Sequence, residues 1–124
     1  MNDLIETLPV VALRGMTILP GMVIHFDVSR ERSVKAIEQA MLKEQRIFLV
    51  TQKDVQVEQP GPEDLYRIGT IASVKQVIKL PHNVIRVLAE GLEKAELSHF
   101  SQDGEFLEAE VIRFESEDAL ENLD

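Results

Sequence analysis

The second half of the chain consists of apolar runs joined by connections too short for anything but tight reversals, which restricts it to antiparallel β-structure. Residues 68–80 and 84–89 flank the three residues Pro81-His82-Asn83, a spacing that predicts a hairpin. Gly91 then allows a bend. Residues 92–100 and 106–114 form a second pair of runs around Ser101-Gln102-Asp103-Gly104-Glu105, again with turn-forming residues at the reversal.

The first half alternates between two periods. Leu8-Pro9-Val10-Val11-Ala12-Leu13 is short, apolar and β-branched, the composition of a mostly buried strand with its proline near the start. Arg14-Gly15-Met16-Thr17 breaks that pattern and Pro20-Gly21 breaks it again, leaving Ile18 and Leu19 in an extended connection; residues 23–28 resume a strand. Ser29 is placed to cap a helix with Glu31 in its first turn. Val34, Ile37, Ala40 and Met41 then supply one apolar face, and the helix is expected to end near Glu44. Ile47-Phe48-Leu49-Val50 is too short an apolar run for a helix and reads as a central strand. Residues 59–64 are rich in proline, glycine and acid, and read as loop.

The resulting order is strand, strand, helix, strand, then a meander of about four strands. It predicts an α+β fold that is mainly β: a twisted, partly closed antiparallel sheet with one main covering helix. A doubly wound nucleotide fold does not have this order. No internal repeat or interior linker divides the chain. At the end, Ser116 is placed to cap another helix with Leu120 and Leu123 on one face, so residues 116–124 read as the truncated, acidic start of a following helical segment.

Charge narrows the partners. Twenty-two acidic residues against 13 basic ones give a formal net charge of −9, which repels a phosphate backbone and argues against nucleic acid. Glu115, Glu117, Asp118, Glu121 and Asp124 concentrate part of this acidity in the tail. With no cysteine, the chain has neither disulfides nor thiolate zinc sites. The acidic start, with no long apolar stretch after it, does not read as a secretory signal. A cytoplasmic location without a membrane partner is expected.

Three blocks, in order and at consistent spacing, carry a family resemblance. The first is Leu8-Pro9-Val10-Val11-Ala12-Leu13-Arg14 followed by Ile18-Leu19-Pro20-Gly21-Met22-Val23-Ile24. The second is Ser29-Arg30-Glu31-Arg32-Ser33-Val34-Lys35-Ala36-Ile37, where a glycine more often stands at position 29. The third joins Ile68-Gly69-Thr70-Ile71-Ala72, Leu80-Pro81 and Val87-Leu88-Ala89-Glu90-Gly91-Leu92. Together they resemble the amino-terminal domain of the ATP-dependent Lon proteases.

The resemblance implies a PUA-like domain over residues 1–115 that engages unfolded or tagged polypeptides and supports subunit assembly. That domain would stand ahead of an ATPase and a serine-lysine peptidase in a homo-oligomeric protein. PUA-like folds also occur in RNA-binding proteins, so an RNA-binding module and a pure oligomerisation domain stand as alternatives.

The residues themselves offer no chemistry. There is no G-x-x-x-x-G-K-[ST] loop and no G-x-S-x-G elbow. Catalytic, cofactor and metal sites are therefore each expected to be none, with ATP and Mg belonging to a downstream domain. His25, His82 and His99 lie far apart without ligand spacing and read as isolated side chains. The serines have ordinary cap, turn or surface roles.

Two groups remain as candidates for contact. Met16, Ile18, Leu19, Pro20 and Met22, with Leu80 and Pro81 at the hairpin tip, place flexible apolar side chains in connections where they either hold polypeptide or fold back onto the core. Arg30, Glu31, Arg32 and Lys35 make a mixed-charge start to the helix, either a partner or substrate contact or simply a solvated face.

Overall fold

The computed structural model describes residues 4–58, 60–101 and 104–114. Among these residues, six strands and one α-helix follow in chain order: β1 (Ile5–Leu13), β2 (Val23–Val28), α1 (Glu31–Met41), β3 (Arg46–Thr51), β4 (Ile68–Leu80), β5 (Val84–Ser101) and β6 (Glu108–Arg113). A short 3-10 turn at Pro62–Asp64 interrupts the connection before β4. The expected tail helix lies outside the described residues. No helix among the described residues is long and apolar enough to cross a membrane.

The sheet runs β2-β5-β4-β3-β1-β6, and β5 also pairs with β6, so five strands close on themselves and β2 is added to the first half of β5. Every pairing is antiparallel except β1 with β3. The connection from β1 to β3 runs through β2 and α1, the crossover that a parallel pair requires.

Alternation along the strands produces two cores. Leu8, Val10 and Ala12 of β1 face the barrel interior with Phe48, Val50, Ile71, Ala95, Leu97, Ala109 and Val111. Their neighbours Val11 and Leu13 face the other way, packing with Ile47, Leu49, Phe26, Val87 and the helix residues Ala36, Ile37 and Ala40. The barrel interior ends in charge: Glu6, Arg46, Glu93 and Arg113 continue the inward rows of β1, β3, β5 and β6. Arg46 donates to both oxygens of Glu6 at 2.6 and 2.8 Å. Arg46 and Arg113 each lie within 4 Å of Glu93, at 3.9 and 3.7 Å.

Local departures from the sequence reading have physical causes. The runs 84–89 and 92–100 are one strand of 18 residues, because the register skip between Ile71 and Ala72 absorbs Leu92 as a bulge and pairing continues through Gly91. The residue at the helix N-cap is Arg30, with no side-chain cap bond, so Ser29 does not cap. The buried helix face is Ser33, Ala36, Ile37 and Ala40, while Met41 is exposed. The helix stops at Met41 rather than near Glu44: Gln45 adopts a left-handed φ of 64°. Its N–H donates to the Ala40 carbonyl at 2.8 Å, and its own carbonyl accepts from Val74 at 2.7 Å.

Candidate polypeptide-binding surface

The connection between β1 and β2 is tied down along its length. The Thr51 hydroxyl donates to the Met16 carbonyl at 2.8 Å, and the buried Thr70 hydroxyl donates to the Ile18 carbonyl at 2.7 Å. Ile18 itself is 2% exposed and belongs to the helix-side core, against which Met16 also packs. Of the candidate segment, these two side chains fold back.

The chain then reverses over residues 19–22. Pro20 stands at the second turn position and Gly21, with φ +87°, at the third, the sequence and conformation of a type II turn. The Met22 N–H closes it on the Leu19 carbonyl at 3.0 Å. Two backbone bonds fasten the turn to β5: Gly21 donates to the Gly91 carbonyl at 2.9 Å, and Gly91 donates to the Met22 carbonyl at 2.8 Å. Glycine is required at 91, since a Cβ there would overlap the Leu19 carbonyl oxygen.

With Ile18 held inside, Leu19 and Met22 are left 47% and 39% exposed, and Pro20 is half-buried between them. Sequence reasoning missed the apolar residues that accompany them. Val23 follows Met22 and is exposed; Leu92, bulged from β5 next to Gly91, is exposed as well. Ile68, at the start of β4, lines a small cavity of about 160 Å³ with Thr17, Leu19 and Lys94. Val23 was legible as the next residue of the same apolar segment, but nothing local marks Ile68 or Leu92 as outward-facing.

Leu80 and Pro81 are not brought to this surface. They sit at the tip of the β4–β5 ribbon, where His82 and Asn83 both take left-handed φ values of 67° and 63°. Ala72 pairs with Gly91 and Leu80 with Val84, so the tip stands about 26 Å along the ribbon from the docked turn, at ~3.3 Å per residue. Pro81 is exposed and Leu80 half-buried.

The helix-start candidates divide in a different way. Arg30 turns inward, its Nη1 donating to Gln52 Oε1 at 3.0 Å and to the Glu58 carbonyl at 3.2 Å, and its Nη2 to the Ala12 carbonyl at 2.8 Å. Gln52, 2% exposed, passes the connection on to the Asp54 and Val57 carbonyls. Glu31 and Lys35 form an exposed i,i+4 pair at 3.6 Å, and Lys35 also reaches Glu105 at 3.3 Å; the Lys35 ammonium is held above its ordinary pKa, first by hydrogen bonding to Glu105. Arg32 is half-buried beside them. Among the described residues no three His, Cys, Asp or Glu side chains gather where they would hold a metal ion.

Residues 7–124 match the family model described as the ATP-dependent protease La (LON) substrate-binding domain. A Lon protease of Clostridium acetobutylicum is 42% identical over 124 residues, which is 100% of this chain and 16% of that protein. A Lon protease of Lachnoclostridium phytofermentans is 52% identical over 117 residues, 94% of this chain and 14% of that protein. The chain thus spans about one-sixth of these relatives. The fold is also that of the N-terminal domain of a Mycobacterium avium complex Lon protease, with a TM-score of 0.68 at 22% identity over 87% of this chain and 54% of that one. A Lon N-terminal domain protein from Xanthomonas campestris gives a TM-score of 0.66 at 15% identity over 87% of this chain and 59% of that one. The sheet, its covering helix and these sequence matches agree, and the chain belongs to the Lon protease substrate-binding domain family.

Proposed function

We propose that the domain engages exposed segments of unfolded or tagged polypeptide on the apolar surface around the turn at residues 19–22. The observation that carries this reading is the division of labour at the turn: Ile18 is locked into the core while Leu19 and Met22 remain exposed on a backbone fixed to β5. A surface already ordered loses little entropy on binding, and Met adapts to varied side chains.

Magnitudes set the mode of action. Covering the exposed parts of Leu19 and Met22 contributes about 1 kcal/mol each, so one domain holds one segment weakly. Several copies in a homo-oligomer recover affinity through effective concentration, which supports a second role in subunit assembly. The Leu80-Pro81 tip, distant from the turn, and the outer start of α1 with Glu31, Arg32 and Lys35 are the proposed places for further contacts. On this reading the longer protein is a cytoplasmic ATP-dependent serine endopeptidase that binds ATP and Mg in a separate domain.

An NMR titration of the labelled 124-residue chain with a permanently unfolded protein, against its folded counterpart, tests the proposal. Selective shifts at residues 16–22, 68 and 92 are expected with the unfolded protein alone. Equal responses to both proteins, or none at millimolar concentration, would leave assembly as the function.

A further inference from the structure

Strand β2 is hydrogen-bonded along one edge alone. Among the described residues it pairs with β5 and with no other strand, in unbroken antiparallel register from Val23 opposite Glu90 to Val28 opposite Ile85. Gly91 of β5 donates to the Met22 carbonyl, which sets the phase: bonded and unbonded residues alternate along an antiparallel pair, so Ile24, Phe26 and Val28 bond to β5. The N–H and C=O groups of Val23, His25 and Asp27 therefore point away from the sheet, and no hydrogen bond among the described residues reaches them. A cavity of about 470 Å³ lies along this edge, lined by His25 and Asp27 and floored by Val11, Met16, Phe26 and Val28.

Another open stretch of edge is blunted. Beyond Ser73, where pairing with β3 ends, β4 carries Lys75 and Lys79 and a register shift between Val74 and Gln76, devices that discourage a further strand. β2 has no lysine, proline or bulge, and its one acid, Asp27, is engaged by Arg86 at 2.8 Å. Charge then selects the partner. Arg14 and Arg30 also line the cavity; Arg14 is exposed and makes no ion pair among the described residues, and Arg30 donates to neutral oxygens. A second copy of the chain would bring these same arginines, and a formal net charge of −9, against their like. A segment with one acid among its apolar residues complements them instead.

We infer that the outer edge of β2 takes up an extended polypeptide segment as an added β-strand, bonded main chain to main chain at Val23, His25 and Asp27. Backbone hydrogen bonds hold a segment of any sequence, while its alternate side chains settle on the apolar floor of the cavity. The inference rests on the polypeptide-binding reading above and gives it a mode. β2 starts at Val23, directly after the turn bearing Leu19 and Met22, so a single extended segment covers both.

The test combines amide hydrogen exchange with an NMR titration of the 124-residue chain. The probes are a short capped peptide of alternating apolar and polar residues with one Asp, and the same peptide methylated at every backbone nitrogen. The unmethylated peptide is expected to slow exchange at the Val23, His25 and Asp27 amides, and the methylated one to bind roughly tenfold more weakly. His25→Pro removes an outward N–H without touching a bond to β5, and should weaken the unmethylated peptide about threefold or more while the β5 amides stay protected. Equal binding of the two peptides, or binding that leaves the three edge amides exchanging freely, overturns the inference. Edge protection that appears without peptide and grows with protein concentration makes the occupant a second copy and overturns it as well. Slowed exchange at the edge without shifts at Leu19 and Met22 would sink the apolar-turn reading alone, and the reverse pattern would sink the edge inference alone.

Discussion

Gly91 lies so close to the carbonyl oxygen of Leu19 that no Cβ can stand between them. The contact is backbone to backbone, and two hydrogen bonds flank it, so neither side can yield cheaply. Gly91→Ala should destabilise the domain by about 1–3 kcal/mol, read as a lower denaturant midpoint at unchanged m-value. The Gly21 amide should exchange faster with solvent in the same variant. An unchanged midpoint would show that the turn is not held at Gly91.

Thr70 ties the same turn from inside. Its buried hydroxyl is the donor to the Ile18 carbonyl, and Thr70→Val keeps the volume while removing that donor. The expected cost is about 1–2 kcal/mol. Because Ile18 anchors the exposed pair, binding of unfolded polypeptide should weaken as well, which a titration on the folded variant would measure.

At the barrel mouth, Glu6→Gln removes the charged acceptor from the paired fork of Arg46. Hydrogen bonds to charged groups in this setting contribute about 1.5–3 kcal/mol, and equilibrium unfolding should show a loss of that order. The Arg46 guanidinium is held above its ordinary pKa, first by hydrogen bonding to Glu6. A raised value means its contribution is complete at neutral pH and fades only in strong alkali. The double variant Glu6→Leu, Arg46→Met should be more stable than either single variant, because it leaves neither of these two charges without its partner.

Asp27 and Arg86 pair across β2 and β5 at 2.8 and 3.1 Å. The Asp27 carboxyl is held below the usual carboxylate range, first by hydrogen bonding from Arg86, and further by the charges of Arg86 and His25. A depressed folded value gives stability that is present above the unfolded pKa and is lost as pH falls through the folded one. A carbon-detected titration should therefore find the Asp27 midpoint moved upward in Arg86→Ala. The stability difference between that variant and the parent should shrink toward acid. The pair is exposed, so the whole effect is small, and an unmoved midpoint would remove Arg86 as its cause.

Much of this architecture could be read in advance because period and punctuation coincide in it. Residues 23–28 alternate cleanly between breakers, and the hairpin at Pro81-His82-Asn83 falls where the turn residues stand. Pairing between distant elements was not legible: nothing in Val10 or Phe48 announces that they lie side by side in parallel strands. Ser29 looked like a cap by residue type, whereas Arg30 takes the boundary position and commits its side chain to Ala12, Gln52 and Glu58. The four charges at the barrel mouth did carry a signal. Each ends an inward-facing row at period two, as in Glu6, Leu8, Val10 and Ala12, and was visible only once strand direction was known. At the surface, the segment holding Leu19 and Met22 could be named from sequence, but its split into buried Ile18 and exposed neighbours depends on Thr70 and Gly91, remote in the chain.

The pairing of β1 with β6, which sets Ile5 beside Ile112, has a consequence for the order of events during synthesis. The first strand leaves the ribosome with its inward row of Leu8, Val10 and Ala12 complete, yet its outer neighbour is roughly a hundred residues away, ~5–20 s at ordinary elongation rates. The parallel neighbour β3 arrives earlier and can shelter one edge. Until β6 emerges, the nascent chain carries an open edge and an unfilled barrel, so the domain is most vulnerable to aggregation in the moments before its last strand is made.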